Sequence, residues 1–181
     1  MHTRLQNLVL LLSLVAATAA AHAQPDACPS LNQPQWREQV LAQVNRLRQQ
    51  GLNCGGSGHH APAPALVWGE RLNSMALAQA RAMAEQGELT HRGTGGENLA
   101  TRAHAAGYPF IRVAENLANG WMQPTQAVAD WALSDKHCAN LMDPRMREIS
   151  LACHSDARQW PWWVMTLGLP RGHSDMAMGS R

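Results

Sequence analysis

The sequence predicts an α+β domain in which helices lie before, beside and between a few antiparallel strands. Several segments in the first three quarters of the chain place apolar residues at helical spacing. Two segments near the C-terminus, residues 148–153 and 162–169, are rich in strand-forming residues and predict an antiparallel hairpin. No glycine-rich phosphate loop follows a strand, which argues against a doubly wound nucleotide-binding fold.

The N-terminus has the pattern of an export signal. Arg4 precedes an apolar run over residues 8–20, and Ala21-His22-Ala23 forms a small-x-small cleavage site. The apolar run is shorter than the ~20 residues that a bilayer-spanning helix needs. We therefore expect residues 1–23 to be a signal peptide, and the mature protein to be periplasmic or extracellular with no transmembrane anchor.

The charge of the chain does not favour a nucleic-acid partner. Its 181 residues carry a formal net charge of +2, and removing Arg4 with the signal lowers this to +1. No run of basic residues is present either. We expect one domain over residues 24–170, followed by a polar tail, 171–181, that lacks periodicity and is expected to be disordered.

The four cysteines form an even set in an exported chain, so two disulfides are expected. Three connectivities are possible. We expect Cys28–Cys54 and Cys138–Cys153, because each of these pairs brackets one local unit. A cysteine zinc site is the alternative, but no pair has the C-x-x-C spacing of a zinc knuckle.

The first helix is predicted between Pro34 and Gln50, where apolar residues recur at helical spacing. The Gly/Pro-rich loop over residues 53–64 follows it. The adjacent His59 and His60 in this loop suggest a metal site, although simple solvent exposure is the favoured interpretation.

Two further helices are predicted before the central segment. An alanine-rich helix from Leu72 ends near Gly87, so that His91 lies at the edge of the core. A short helix over residues 99–106 follows, and then a β-rich run over 110–113 leads to Glu115.

The segment from Ala114 to Met142 contains the main candidate site. A helix that starts after Pro124 would bury Trp131 and present His137 from the turn at its end, and a short helical segment would then run to Met142. We expect His91, Glu115 and His137 to converge in one shallow cleft.

The order of several motifs, rather than any one of them, carries a family resemblance. These motifs are Thr90-His91, Ala106-Gly107-Tyr108, Ala114-Glu115-Asn116-Leu117-Ala118, Trp131, Lys136-His137-Cys138-Ala139-Asn140-Leu141-Met142 and Glu148-Ile149. Together they resemble the secreted bacterial branch of the CAP superfamily, also called SCP/PR-1-like, over residues 36–169. The resemblance implies a three-layer α-β-α sandwich with a small antiparallel sheet between helices.

The resemblance also selects one of two Glu-Asn-Leu-Ala copies. In similar sequences the Glu-Asn motif follows the Ala-Gly-Tyr turn, which fits Glu115 and not Glu97. This chain departs from the family pattern at Ala114 and Lys136, where glycine is usual, and at Ser134, where eukaryotic relatives have a second acidic residue.

A His/Glu cleft that binds divalent metal in some members is the site that the resemblance implies. His91 and His137 are the candidate ligands for zinc or a similar ion, and Asn116 and Asn140 belong to the same motifs. Glu115 is the candidate catalytic residue, because a carboxylate can be a ligand, can orient a histidine or can act as base for a bound water. Two imidazoles are fewer ligands than the three of most catalytic zinc sites.

Two functions remain open. The favoured hypothesis is an exported, disulfide-stabilised binding module for a metal, a lipid or other small apolar ligand, or a protein. The alternative is a metal-assisted hydrolase or peptidase that uses the same cleft, although no G-x-S-x-G motif is present.

The tryptophans around Pro161 offer a possible second binding surface. Trp160, Trp162 and Trp163 are expected to pack in the core. If they are exposed instead, the strip would suit a lipid, glycan or protein partner.

Overall fold

A computed structural model of the chain describes Cys28 and residues 34–172. The predicted signal peptide at 1–23 lies outside the described residues, as does the tail beyond Gly172. Arg171, the first residue of the predicted tail 171–181, is described: its backbone N–H donates to the Pro109 carbonyl at 2.6 Å and its guanidinium to the Phe110 carbonyl at 3.0 Å. No helix in the described part is long and apolar enough to cross a membrane.

The helices and the longer strands of the described residues follow the predicted order, and three two-residue strands lie where no strand was predicted. The helices are α1 (Pro34–Gln50), α2 (Glu70–Gln86), α3 (Leu99–Ala105), α4 (Pro124–Ala132) and α5 (Asp135–Met142). The strands are β1 (Leu52–Asn53), β2 (His59–His60), β3 (Val67–Trp68), β4 (Phe110–Asn119), β5 (Glu148–Ser155) and β6 (Pro161–Pro170).

The main sheet has the strand order β3-β5-β6-β4. The predicted hairpin is confirmed as the antiparallel pair β5 and β6, and β4 pairs with β6 in the same sense. Two features differ from expectation. Glu115 lies inside β4 rather than after it, and the short strand β3 pairs with β5 in parallel, a contact that two residues cannot reveal by periodicity.

The expected three-layer α-β-α sandwich is confirmed. On one face of the sheet, α1, α4 and α5 bury residues such as Val44, Trp131 and Leu141 against Trp163 and Met165. The opposite face is covered by α2 and α3, whose apolar residues meet the alternate positions of the strands. The site therefore has a rigid sheet behind it.

Alternation along β6 explains two of the clustered tryptophans. Trp162 packs against the α2 face and Trp163 against the α1 face, since successive strand side chains point to opposite sides. Both are buried, which confirms the core interpretation for these two. Trp160 differs, because it lies before the strand and is 39% exposed.

The disulfides join Cys28 to Cys153 and Cys54 to Cys138, so the expected pairing was wrong. The reason is tertiary. The loop after α1 packs on the start of α5, where the Gly56 N–H donates to the Asp135 carboxylate at 2.9 Å. Cys54 is thereby brought to Cys138 across a sequence separation of 84 residues.

Side chains from the helices close the outer edge of the sheet at β4. The Trp131 indole N–H donates to the Leu117 carbonyl at 3.1 Å, and the Asn140 amide donates to the Glu115 carbonyl at 3.4 Å. Edge strands need such cover, because open backbone groups attract other chains. The positions of α4 and α5 are thus fixed relative to β4.

The disulfide assignment predicts where a single substitution exposes a thiol. In Cys54→Ala, the unpaired thiol should be that of Cys138, which alkylation under native or denaturing conditions and peptide mapping will locate. The free energy of unfolding of the same variant, measured by urea denaturation, should be lower by about 4 kcal/mol. The reason is that the long loop between residues 54 and 138 is no longer closed in the unfolded chain. A label on Cys28 instead would contradict the assignment.

Candidate functional site

Glu115 is the buried centre of the site. Its side chain is 1% exposed, although it lies on the edge strand β4. Arg102 from α3 reaches it with two hydrogen bonds, Nη1 to Oε2 at 3.0 Å and Nη2 to Oε1 at 3.1 Å. Such bidentate, charge-assisted contacts are among the strongest hydrogen bonds in proteins. The pair keeps a charged carboxylate inside the protein.

The position of Arg102 follows from the local structure. Glu115 faces the α2 and α3 side of the sheet, and α3 packs directly over β4. The Asn98 side chain caps α3 by accepting from the Thr101 N–H at 2.9 Å. The arginine, which is 12% exposed, is therefore presented to the carboxylate by a helix with a defined start.

His91 forms the outer layer of the site. Its Nδ1 lies 3.0 Å from Glu115 Oε1, and its side chain is 61% exposed. An ionised carboxylate only accepts hydrogen bonds, so Nδ1 carries the proton and Nε2 of a neutral ring keeps its lone pair. The buried Gln79 amide holds this loop by donating to the carbonyls of Thr90 and Arg92 at 2.7 and 3.1 Å.

His137 approaches from the other side of the sheet edge. It lies within helix α5 and not in the turn that ends α4, which corrects the expected position. Burial lowers the pKa of His137, and the nearby charge of His91 lowers it further. A neutral imidazole is therefore favoured there.

Two asparagines connect β4 to the helix that carries His137. The Asn116 amide donates to the His137 carbonyl at 3.1 Å, and the Asn140 amide donates to the Asn116 side-chain oxygen at 2.8 Å. Both asparagines act here through the backbone and each other. We call His91, Arg102, Glu115 and His137 the His/Glu cluster.

The second copy of the Glu-Asn motif lies elsewhere. Glu97 is exposed in the turn before α3, and its carboxylate accepts from the Gly95 N–H at 3.0 Å. His91 contacts Glu115 and not this residue. The two Glu-Asn-Leu-Ala copies therefore occupy different positions in the structure.

Sequence reasoning missed Arg102. A signal for it was available, because a strand glutamate that faces the core needs a cation, and Arg102 lies on the short helix just before that strand.

The His/Glu cluster has two imidazoles, those of His91 and His137, as candidate metal ligands. Both oxygens of Glu115 are engaged by Arg102 and His91, so this carboxylate can orient His91 but is poorly placed as a ligand. Among Cys28 and residues 34–172, no group of three or more His, Cys, Asp and Glu side chains could hold a metal. The candidate ligands are His91 Nε2 and the His137 ring.

Two other chemical possibilities are weakened by the structure. Cys138 is bonded to Cys54, so it is not a thiolate nucleophile. His59 and His60 are neighbours on β2, and successive strand side chains point to opposite faces. They are therefore poorly placed to share one ion.

Comparison with known proteins defines the family. Residues 41–167 match the family model of the cysteine-rich secretory proteins, abbreviated CAP. The chain belongs to this family. None of the curated proteins matches it as a relative.

Solved structures with the same fold include two bacterial proteins. An outer surface protein from Borrelia burgdorferi is 18% identical with a TM-score of 0.63, and the match covers 76% of this chain and 94% of that one. An extracellular SCP-domain protein from Bacillus anthracis is 16% identical with a TM-score of 0.61, over 75% of this chain. This chain spans only 40% of the length of the B. anthracis protein.

A third similar structure is that of NaASP2 with Zn²⁺. It is 13% identical with a TM-score of 0.52, and the match covers 78% of this chain and 83% of that one. At these identities the likeness shows the fold alone.

The buried ion pair predicts strongly non-additive substitutions. Arg102→Met and Glu115→Gln should each lower the free energy of unfolding by about 3 kcal/mol or more, because each leaves a buried partner unpaired. The double variant should lose less than the sum of the two, as measured by urea unfolding in a double-mutant cycle.

The matched control is the pair of Arg37 and Glu70, whose side chains are 27% and 68% exposed. Its cycle should give a coupling energy of about 1 kcal/mol or less. Equal coupling energies in the two cycles would contradict a special role for the Arg102–Glu115 pair.

Proposed function

We propose that this protein is an exported binding module whose His/Glu cluster offers two imidazoles to a ligand. One observation carries the proposal. The only carboxylate of the cluster is committed to Arg102 and His91 through both of its oxygens. The two imidazole rings are therefore available to bind a ligand, whereas the carboxylate is poorly suited to proton transfer.

The same observation argues against a hydrolase. A general base must reach the proton it removes. Glu115 is buried, and its negative charge is compensated by a bidentate guanidinium. Catalytic zinc sites usually also have three protein ligands, whereas this cluster supplies two imidazoles.

A divalent metal such as zinc is the first ligand that we propose. The hydrogen bond to Glu115 leaves His91 Nε2 outward, and a carboxylate behind a histidine is a common arrangement around zinc. The lowered pKa of His137 keeps its ring neutral, as metal ligation requires. A bound ion would supply a Lewis acid to which a further ligand could attach. The Zn²⁺ in the similarly folded NaASP2 structure supports this choice.

The other ligands that we propose for the module are a lipid, another small apolar ligand or a protein. Export is supported by the signal-like N-terminus, by two disulfides and by the extracellular origin of a similar SCP-domain protein. We therefore place the binding event outside the cytoplasm.

Zinc titration by calorimetry on tag-free protein tests the metal proposal. We expect weak, chelator-reversible binding, because only two imidazoles contribute. His91→Ala and His137→Ala should each reduce the affinity at least tenfold, and binding should weaken as pH falls below about 6.5. Chelation should not unfold the domain, since two disulfides and the core hold it.

His59→Ala is the matched control, because this exposed histidine lies outside the His/Glu cluster. It should leave the zinc affinity unchanged. Zinc binding that survives both cluster substitutions, or that disappears with His59→Ala, would contradict the proposed site.

A further inference from the structure

A separate cavity of about 390 Å³ lies where β4 ends and β6 begins. Its lining residues are Gly87, Asn119, Arg158, Trp160 and Trp162. Its size falls in the range of small-molecule sites, and its lining combines aromatic rings with a few polar groups, as such sites do. None of its residues belongs to the His/Glu cluster.

One of the lining residues, Trp162, carries a buried donor that has no partner among the described residues. Trp162 is only 3% exposed, and its indole N–H has no hydrogen-bond partner among the described residues. An unsatisfied buried donor carries a free-energy penalty. An acceptor on a bound molecule would remove that penalty.

Trp160 provides an aromatic wall that is held in place by its own loop. The Asp156 carboxylate accepts a hydrogen bond from the backbone N–H of Trp160 at 2.9 Å, and the backbone N–H of Asp156 donates to the Trp160 carbonyl at 3.0 Å. The pKa of the Asp156 carboxyl is lowered, chiefly by the bond from Trp160. Gln159 adopts a positive φ of 63° to form this turn. The backbone that carries the exposed ring is thus fixed, which reduces the cost of ordering this loop on binding.

The cavity has no uncompensated charge among its lining residues. Arg158 donates to the Asp156 carboxylate at 3.1 and 3.3 Å, which balances its cation. Asn119 contributes a neutral amide that can both donate and accept. The lining therefore favours an uncharged ligand over an anion.

These features specify a ligand with one flat apolar face and a polar edge. We propose that the cavity is a carbohydrate-binding subsite that takes one neutral pyranose residue. The C–H face of the sugar stacks on Trp160, and its oxygens accept from the Trp162 N–H and from Arg158. Hydroxyl groups also pair with the Asn119 amide.

Other ligand classes fit the lining less well. A lipid chain would bury Asn119 and leave the Trp162 N–H unpaired. A metal would find no histidine, cysteine, aspartate or glutamate among the lining residues. The pyranose satisfies the aromatic and polar groups together.

The subsite is distinct from the His/Glu cluster. Glu115 and Asn119 lie on the same face of β4 with Leu117 between them, which separates them by about 13 Å along the strand. The proposal therefore does not depend on metal binding, and its test uses different substitutions.

NMR titration with two soluble probes tests the subsite. Cellotetraose offers hydroxyl groups alone, and chitotetraose adds acetamido groups. We expect at least one probe to bind and to shift the indole N–H resonance of Trp162. Trp160→Ala should weaken that binding at least tenfold, and Trp160→Phe should retain part of it, because a smaller aromatic face remains.

Trp121→Ala is the matched control, because Trp121 is 50% exposed but does not line the cavity. Its affinity should stay within twofold of wild type, and a thermal melt of each variant checks its folding. The proposal is overturned if neither probe binds at millimolar concentrations, if Trp160→Ala binds as well as wild type, if Trp121→Ala loses as much affinity, or if the Trp162 resonance does not move.

Discussion

The buried ion pair between Arg102 and Glu115 is the contact on which the organisation of the site depends. A carboxylate that is 1% exposed stays charged only if a cation and hydrogen bonds replace the water it has lost. Arg102 supplies both, and in doing so it ties α3 to the edge strand β4. The same guanidinium also donates to the His91 carbonyl at 3.2 Å, so one side chain positions the carboxylate and the loop that carries the histidine.

The sheet edge couples this pair to the rest of the fold. Trp131 and Asn140 donate to backbone carbonyls of β4, and Asn116 reaches from β4 to α5. His137 is consequently placed by the same contacts that protect the edge strand. The residues of the His/Glu cluster and the residues that protect the edge strand therefore share one hydrogen-bond network.

Local patterns predicted much of the fold, because helices and hairpins depend on neighbouring residues. The spacing in α1 and α2 and the hairpin formed by β5 and β6 are examples. The parallel pairing of β3 and the role of Arg102 were not predicted, and the partner of Cys54 was predicted wrongly. Each depends on segments that meet only after the layers pack, and β3 is two residues long. The contact between His91 and Glu115 agrees with the expected convergence of these two residues, and the family resemblance supplied the choice of Glu115 over Glu97.

The most direct test of this account is the tautomer of His91, observed by long-range proton–nitrogen NMR above the histidine pKa range, at about pH 8. If the buried Glu115 orients the ring, wild type and the control Glu97→Ala should both carry the proton on Nδ1. Glu115→Ala should populate the Nε2–H form, because Nδ1 loses its acceptor. A proton on Nε2 in wild type, or the same change in both variants, would contradict the claim that Glu115 fixes the orientation of His91.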